Sequence, residues 1–282
     1  MDTLPALTSR QFFYDTWIYV PAAGTEHMNE DSQLLRTTDT SLRVIEAMRE
    51  AGEMTPAELA STLDLSRSTV YKHLHTLGKH GYVVADGAEY RLGGRFYDIG
   101  MFVRNREKIH ELAGKYVVEI ADQANEESDF GVEENGRIVT LFDSVGPSAQ
   151  PSSRIENYEY MHTTAIGKAI LARLPDARID AVIDRWGLPA VTDRAITSRD
   201  TLEAELAEVR ERGYAVNDEE SIPGKRVAGV VAEDPSGDEI GGFTVSGPAY
   251  RVEDTDLHGE FPDILDRVVP EFEAELASQD LV

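Results

Sequence analysis

Three features of the 282-residue sequence predict an α+β chain with a small helical module ahead of a larger mixed domain. Two well-capped helix starts follow each other closely, at Thr55 and at Ser66. Asp86-Gly87 then divides two short runs as a hairpin signal. Beyond residue 107, amphipathic helices and further hairpins share the remaining length.

The elements follow in order. "TTDTSLRVIEAMREAG" places Leu42, Ile45 and Met48 on one helical stripe that Gly52 ends. In "TPAELASTL", Thr55 caps, Pro56 occupies the first turn and Glu58 completes a capping box, with Leu59 and Leu63 facing inward. After the turn "DLS", Ser66 caps a third helix from Arg67 to about Lys79, and Gly81 closes it. The hairpin "YVVADGAEYRLG" follows. Three helices and a hairpin in this sequence make a winged helix-turn-helix.

A connecting helix from "GRFYDIG" and a longer amphipathic helix lead into the second part. There "DFGVEE" and "RIVTLFDS" flank Asn135-Gly136 as a second hairpin, and "GPSAQPSS" is a loop. "EYMH" precedes the helix "TTAIGKAILARL", ended by Pro175. Two surface helices, "PDARIDAVIDRWG" and "SRDTLEAELAEVRERG", come next. The strands "KRVAGVVAED" and "EIGGFTVSG" pair about "PSGD", and "PDILDRVVPEFEAELAS" is the last helix. The expected partition is a disordered or over-extended tail at 1–35, with Met28 as an alternative start. The winged module spans 36–93, a linker helix 94–106, and the large domain 107–282.

Charge is unevenly spread. The chain carries 27 Lys+Arg against 52 Asp+Glu, a net −25. Residues 36–106 hold 10 basic and 9 acidic residues, while 107–282 hold 16 and 38. An acidic protein repels nucleic acid, so one near-neutral segment points to where a polyanion would be met. Acid-coated surfaces with 21 Arg to 6 Lys predict adaptation to a salt-rich, halophilic cytoplasm. No apolar run reaches the roughly 18 residues of a membrane span, and no cysteine offers a thiol or a disulfide. Asp15 interrupts the sole candidate leader, so a cytoplasmic location is expected.

On the third helix, Val70, Leu74 and Leu77 share one face. Ser68, Tyr71, Lys72 and His75 lie opposite. Such a second helix-turn-helix element enters the major groove, where bases present donors, acceptors and thymine methyls. Arg67, Ser68 and Thr69 sit at its N-terminus, suited to phosphate. Arg91 and Arg95 are expected to extend from the wing. His73, His75 and His80 do not form a metal set, since they point to different faces without a carboxylate or cysteine at ligand spacing.

Catalytic patterns fall short. "GKAI" ends like a phosphate loop, but the required earlier glycine position holds His162. "TVSGP" lacks Gly-x-Ser-x-Gly spacing, and Asp218-Glu219-Glu220 reads as a solvated acidic turn. A non-enzymatic role without cofactor is expected. A ligand-sensing interaction module without DNA binding is the alternative; an enzyme of the acidic-turn region is the weaker one.

"SRSTVYKHLHTLGKHGYV", "YRLGGRFYDIG", "MHTTAIGKAILARL" and "GYAVNDEESIPGKRVAGVVAED" with "GGFTVSGP" resemble the IclR family of transcriptional regulators across residues 36–275. The resemblance implies a winged helix-turn-helix joined by a helix to a GAF-like α/β effector-binding domain. It also implies homodimers, or dimers of dimers, on double-stranded operator DNA, controlled by a small organic acid or aromatic metabolite. By position it implies an effector pocket of Met161, His162, Ala165, Ile166, Asn217, Lys225, Val227, Thr244 and Ser246. Ile166, Asn217 and Lys225 depart from the residues usual in the family. The helix start at Thr163-Thr164 with Lys225 or Arg226 nearby suits an anion, so a small carboxylated metabolite such as a sugar acid is expected.

Overall fold

The computed structural model describes residues 34–149 and 157–279. The expectations for the tail up to residue 33, and for the loop from residue 150, lie outside the described residues. The chain divides into two compact units at Arg106/Glu107.

The first unit is built on three helices, α1 (Arg36–Ala51), α2 (Pro56–Leu63) and α3 (Arg67–Lys79), with the hairpin β1 (Val83–Asp86) and β2 (Glu89–Leu92). The capping box of α2 is complete: Thr55 Oγ1 accepts from the Glu58 N–H, and Glu58 Oε2 accepts from the Thr55 N–H at 2.8 Å. Asp64 takes a left-handed conformation, φ 53°, to turn the chain into α3. The core joins Val44, Met48, Leu59, Val70, Leu74, Leu77 and Val83. On α1 the stripe is shifted from expectation. Leu42 is exposed and Val44 is fully buried, because α1 turns its Val44–Met48 face to α2 and α3. His73 is also buried, and its Nδ1 lies 2.8 Å from Ser41 Oγ, a pairing that fastens α1 to α3.

The hairpin turn is centred on Gly87-Ala88, with Asp86 paired to Glu89, one residue later than the Asp-Gly signal suggests. Met54 exchanges both backbone hydrogen bonds with Tyr90, which extends the small sheet by one bridge. Helix α4 (Arg95–Arg104) follows. It buries none of its residues fully, and it leaves Tyr97 and Phe102 largely exposed.

The second unit is a six-stranded antiparallel sheet with helices on both faces. Its strands are β3 (Glu127–Glu134), β4 (Arg137–Val145), β5 (Tyr158–Tyr160), β6 (Ala215–Asp218), β7 (Lys225–Glu233) and β8 (Glu239–Pro248), in spatial order β5-β4-β3-β8-β7-β6. Asn135 and Gly136 both have positive φ, as a two-residue hairpin turn requires. Strand β6 escapes sequence pattern because its four residues run straight into the acidic turn. Ala215, Val216 and Asn217 are nonetheless buried.

One sheet face carries α5 (Lys108–Ala124) and α9 (Phe261–Ser278) over Phe130, Phe243 and Val245. Phe243 lies 4.8 Å from Phe130 and 5.1 Å from Phe272, ring centre to ring centre. The other face carries α6 (Ala165–Leu171), α7 (Asp176–Trp186) and α8 (Arg199–Arg212), packed through Ile170, Ile179, Leu202 and Leu206. The first turn of α6 lies directly on the sheet. A Cβ at Gly229 would stand 3.0 Å from the Ala165 Cβ, and one at Gly242 3.1 Å from Ile166, so these positions need the missing side chain.

Candidate nucleic-acid interface and effector cleft

In the first unit, the outer face of α3 is laid open by its own cap and core. Ser66 Oγ accepts the Thr69 N–H at 3.1 Å, which fixes where the helix begins. The buried Val70, His73, Leu74 and Leu77 then fix its rotation. Arg67, Ser68, Tyr71, Lys72 and His75 are consequently all exposed. Neither Arg67 nor Lys72 has a carboxylate partner among the described residues, so their donors are open to an incoming anion. Tyr71 is 53% exposed, so its ring stands on the same open face.

Two expected members differ. Thr69 is half-buried, with its N–H and hydroxyl both engaged by Ser66, so it builds the cap. Arg95 opens α4 instead of extending from the hairpin, and its guanidinium bonds Asp98 at 3.0 Å. Arg91, on β2, is the exposed wing cation. Asp86 and Glu89 stand at the wing tip, which leaves Arg91 as the part of the wing suited to phosphate.

In the second unit, a cleft of about 770 Å³, counted out to its open mouth, lies between the sheet and the start of α6. It brings together Ala165, Ile166, Asn217, Lys225, Val227 and Thr244 of the expected set. Met161, His162 and Ser246 do not line it. Met161 is buried among Ile166 and Ile170, where it holds the chain entering α6. His162 is buried with Nε2 3.2 Å from the Pro189 carbonyl oxygen, and burial holds its pKa below the usual value. Ser246 lies two residues beyond Thr244, wholly buried between Glu127 and Val227 on the neighbouring strands.

Sequence reasoning missed most of the polar wall. Glu127 and Asp129 of β3, Asp143 and Thr140 of β4, and Glu159 of β5 all face the cleft. Only the register of the sheet reveals this, since Asp129 meets Thr244 and Glu127 meets Ser246 across the β3–β8 pair. Thr244 Oγ1 donates to Asp129 Oδ2 at 3.3 Å. Lys225 Nζ is 3.2 Å from Glu127 and 3.9 Å from Asp129. Burial opposes the ammonium of Lys225, but Asp129 and Glu127 outweigh it and hold its pKa above the ordinary lysine value. Burial in turn raises the carboxyl of Asp129, against the pull of Lys225.

The groups expected to meet a carboxylate have partners within the protein. Lys225 is already shared by two carboxylates. Arg226 is held by Asp218, Asp254 and the Val252 carbonyl oxygen. Thr164 Oγ1 accepts the Gly167 N–H at 3.1 Å, so the short α6 spends a free donor on its own cap. Asn217, although on the wall, folds the following turn. Its Oδ1 accepts from the N–H groups of Glu220 and Ser221, and its Nδ2 donates to Ser221 Oγ. Behind the cleft, the buried Lys168 bonds Glu220 and Glu205.

A second feature without a sequence signal is the setting of Arg137. Its guanidinium lies 3.7 Å from the ring centre of Tyr160, 4.5 Å from Tyr158 and 5.1 Å from Trp186. Trp186 Nε1 donates to the Asn135 carbonyl oxygen. Together they pin β5 and α7 to the hairpin turn beside the cleft. No helix among the described residues is long and apolar enough to cross a membrane.

Comparison with known proteins places both units. Residues 37–87 match the IclR helix-turn-helix domain, and residues 101–269 match the C-terminal domain of the bacterial transcriptional regulator IclR. A probable HTH-type transcriptional regulator ArcR from Halobacterium salinarum is 30% identical over 239 residues, which cover 83% of this chain and 91% of that protein. The crystal structure of the Thermotoga maritima IclR is 26% identical with a TM-score of 0.66, covering 86% of this chain and all of that one. An IclR homolog from Microbacterium hydrocarbonoxydans, crystallised with 4-hydroxybenzoate, shares the fold with a TM-score of 0.66 at 17% identity. It covers 86% of this chain and 99% of that one.

Proposed function

The chain belongs to the IclR family of ligand-responsive, DNA-binding transcriptional regulators, and from that premise we propose that α3 reads operator DNA and that the cleft beside α6 receives the effector. Arg67, Ser68, Tyr71, Lys72 and His75 supply the contacts, with Arg91 on the adjoining backbone. The observation that carries this assignment is the exposed, carboxylate-free face of α3 in a protein of net charge −25. Arg67 and Lys72 meet phosphate or guanine, Tyr71 and His75 reach base edges, and Ser68 donates at the helix start.

The protein acts by binding, without turnover, in the cytoplasm. It works as a homodimer or a dimer of dimers, because operator half-sites in successive major grooves need two copies of α3. Tyr97 and Phe102 on the uncovered α4 support pairing of copies through that helix. Fluorescence anisotropy with the DNA upstream of its own gene tests the reading. The parent chain binds, and the Arg67→Ala, Tyr71→Ala, Lys72→Ala combination loses binding with unchanged circular dichroism. Equal binding by both would move the DNA contact off α3, and no binding by the parent chain would favour a ligand-sensing module without DNA binding.

A further inference from the structure

The buried face of α3 contains a single polar side chain. Val70, Leu74 and Leu77 are joined there by His73, which is only 8% exposed. Its Nδ1 lies 2.8 Å from Ser41 Oγ on α1. Ser41 Oγ in turn donates to the Thr37 carbonyl oxygen, at 3.2 Å, in the first turn of the same helix. A serine hydroxyl has one hydrogen to give. Both contacts are therefore made together only when His73 Nδ1–H donates to Ser41 Oγ and the hydroxyl passes its own hydrogen to Thr37. Two hydrogen bonds in series then run from the inner face of α3 to the backbone of α1.

We propose that His73 is a positioning residue for operator recognition: through Ser41 it sets the rotation of α3 about its own axis, and with it the aim of Tyr71 and His75. This rests on the reading of α3 as the helix that meets DNA. Apolar contacts have no preferred direction, so Val70, Leu74 and Leu77 hold α3 against its neighbours but tolerate small turns. A hydrogen bond weakens steeply away from its axis, so the bond from His73 to Ser41 resists them. The difference is felt on the outer face, where Tyr71 and His75 are exposed. A turn of about 20° in a helix roughly 10–12 Å across carries a side-chain tip by about 2 Å, out of hydrogen-bond reach of a base edge. Contacts to phosphate carry no sequence information, and the long side chains of Arg67 and Lys72 follow a phosphate through such a shift. An apolar residue at position 73 would bury as well as histidine does, and it would leave Ser41 bonded to Thr37. Its removal therefore acts on base discrimination while the fold is kept.

The test compares His73→Leu, Ser41→Ala and His73→Asn in the full chain. Fluorescence anisotropy is read on the DNA upstream of its own gene and on a duplex of the same length and scrambled sequence. His73→Leu and Ser41→Ala are each expected to lower the ratio of specific to nonspecific affinity about tenfold, the loss of one well-placed base contact. Affinity for the scrambled duplex, circular dichroism and melting temperature should stay with the parent. His73→Asn, whose amide N–H stands in for Nδ1–H, is expected to keep the ratio. An unchanged ratio in either His73→Leu or Ser41→Ala, a fall of both affinities in step, or a His73→Asn variant as impaired as His73→Leu would each overturn the proposal. The Arg67→Ala, Tyr71→Ala, Lys72→Ala combination, measured alongside, separates this from failure of the α3 reading. If that combination binds like the parent, α3 is not the reading helix. If it loses binding while the ratio holds in the His73 and Ser41 variants, only the role of His73 falls.

Discussion

The ammonium of Lys168 lies 2.5 Å from the carboxylate of Glu220, with both side chains withdrawn from solvent. Burial raises the carboxyl of Glu220, and Lys168 works against that rise. The pair joins α6, which forms one side of the cleft, to the turn after β6, whose Ser221 and Ile222 form another. Losing one partner of a buried pair leaves the other uncompensated. Lys168→Met is therefore expected to destabilise the second unit by about 3–5 kcal/mol in urea titration. Glu220→Gln should cost less, because Glu205 still stands 3.2 Å from the ammonium. Equal losses would show that the pair is not the tie between the two cleft walls.

Contacts to phosphate and contacts to bases separate by their response to salt. Arg67→Ala and Lys72→Ala are each expected to lower the slope of log affinity against log salt by about 1. Tyr71→Ala should weaken binding and leave the slope as it is. A slope change in Tyr71→Ala alone would reverse the assignment of these roles.

Strand propensity and packing make opposite predictions at Gly229. Valine favours a strand, but a Cβ there would press on Ala165 and on the backbone N–H of Ile166. Gly229→Val is expected to destabilise by about 1–3 kcal/mol through overpacking. A stabilised variant would mean that α6 is free to lift from the sheet.

Glu239 gives the second unit a pH dependence of its own. Burial, reinforced by the charge of Glu133, pushes its pKa from 4.5 to about 7, while Arg173 and Arg178 pull the other way. The folded chain thus holds this proton over a range in which the unfolded chain has released it. The resulting stability is complete below pH 4.5 and is lost as pH rises through about 7. Glu239→Gln should match the parent near pH 4.5 and exceed it at about pH 8, measured as urea midpoints at both values. A variant weaker than the parent at the higher pH would count against this account.

With a net charge of −25, repulsion between surface carboxylates opposes the folded state most strongly in dilute buffer. The melting temperature is expected to rise steadily as KCl is raised, most steeply at low salt where the Debye length is long. A flat profile would remove the case for adaptation to salt.

Local signals were sufficient for the first unit. Thr55 with Glu58, and Ser66 with the Val70–Leu77 stripe, set the start and rotation of α2 and α3 through bonds spanning only a few residues. The outward face of α3 follows from them, which is why Tyr71, Lys72 and His75 were legible beforehand. At Leu42 local pattern does not decide, because the stripes Leu42–Ile45–Met48 and Val44–Ala47–Met48 are both apolar, and only the positions of α2 and α3 choose between them.

The cleft beside α6 depends on distant pairings. Its expected residues came mainly from stretches around α6, β7 and β8, and six of the nine do line it. Its electrostatic character comes from β3, β4 and β5, whose acids look like ordinary surface residues in an acidic sequence. Helix caps, the reading helix and the family thus follow from residue order alone. The pairing of Lys225 required the folded sheet, because strand register sets which carboxylates converge on it, and Coulomb interactions depend on distance in space, not separation along the chain.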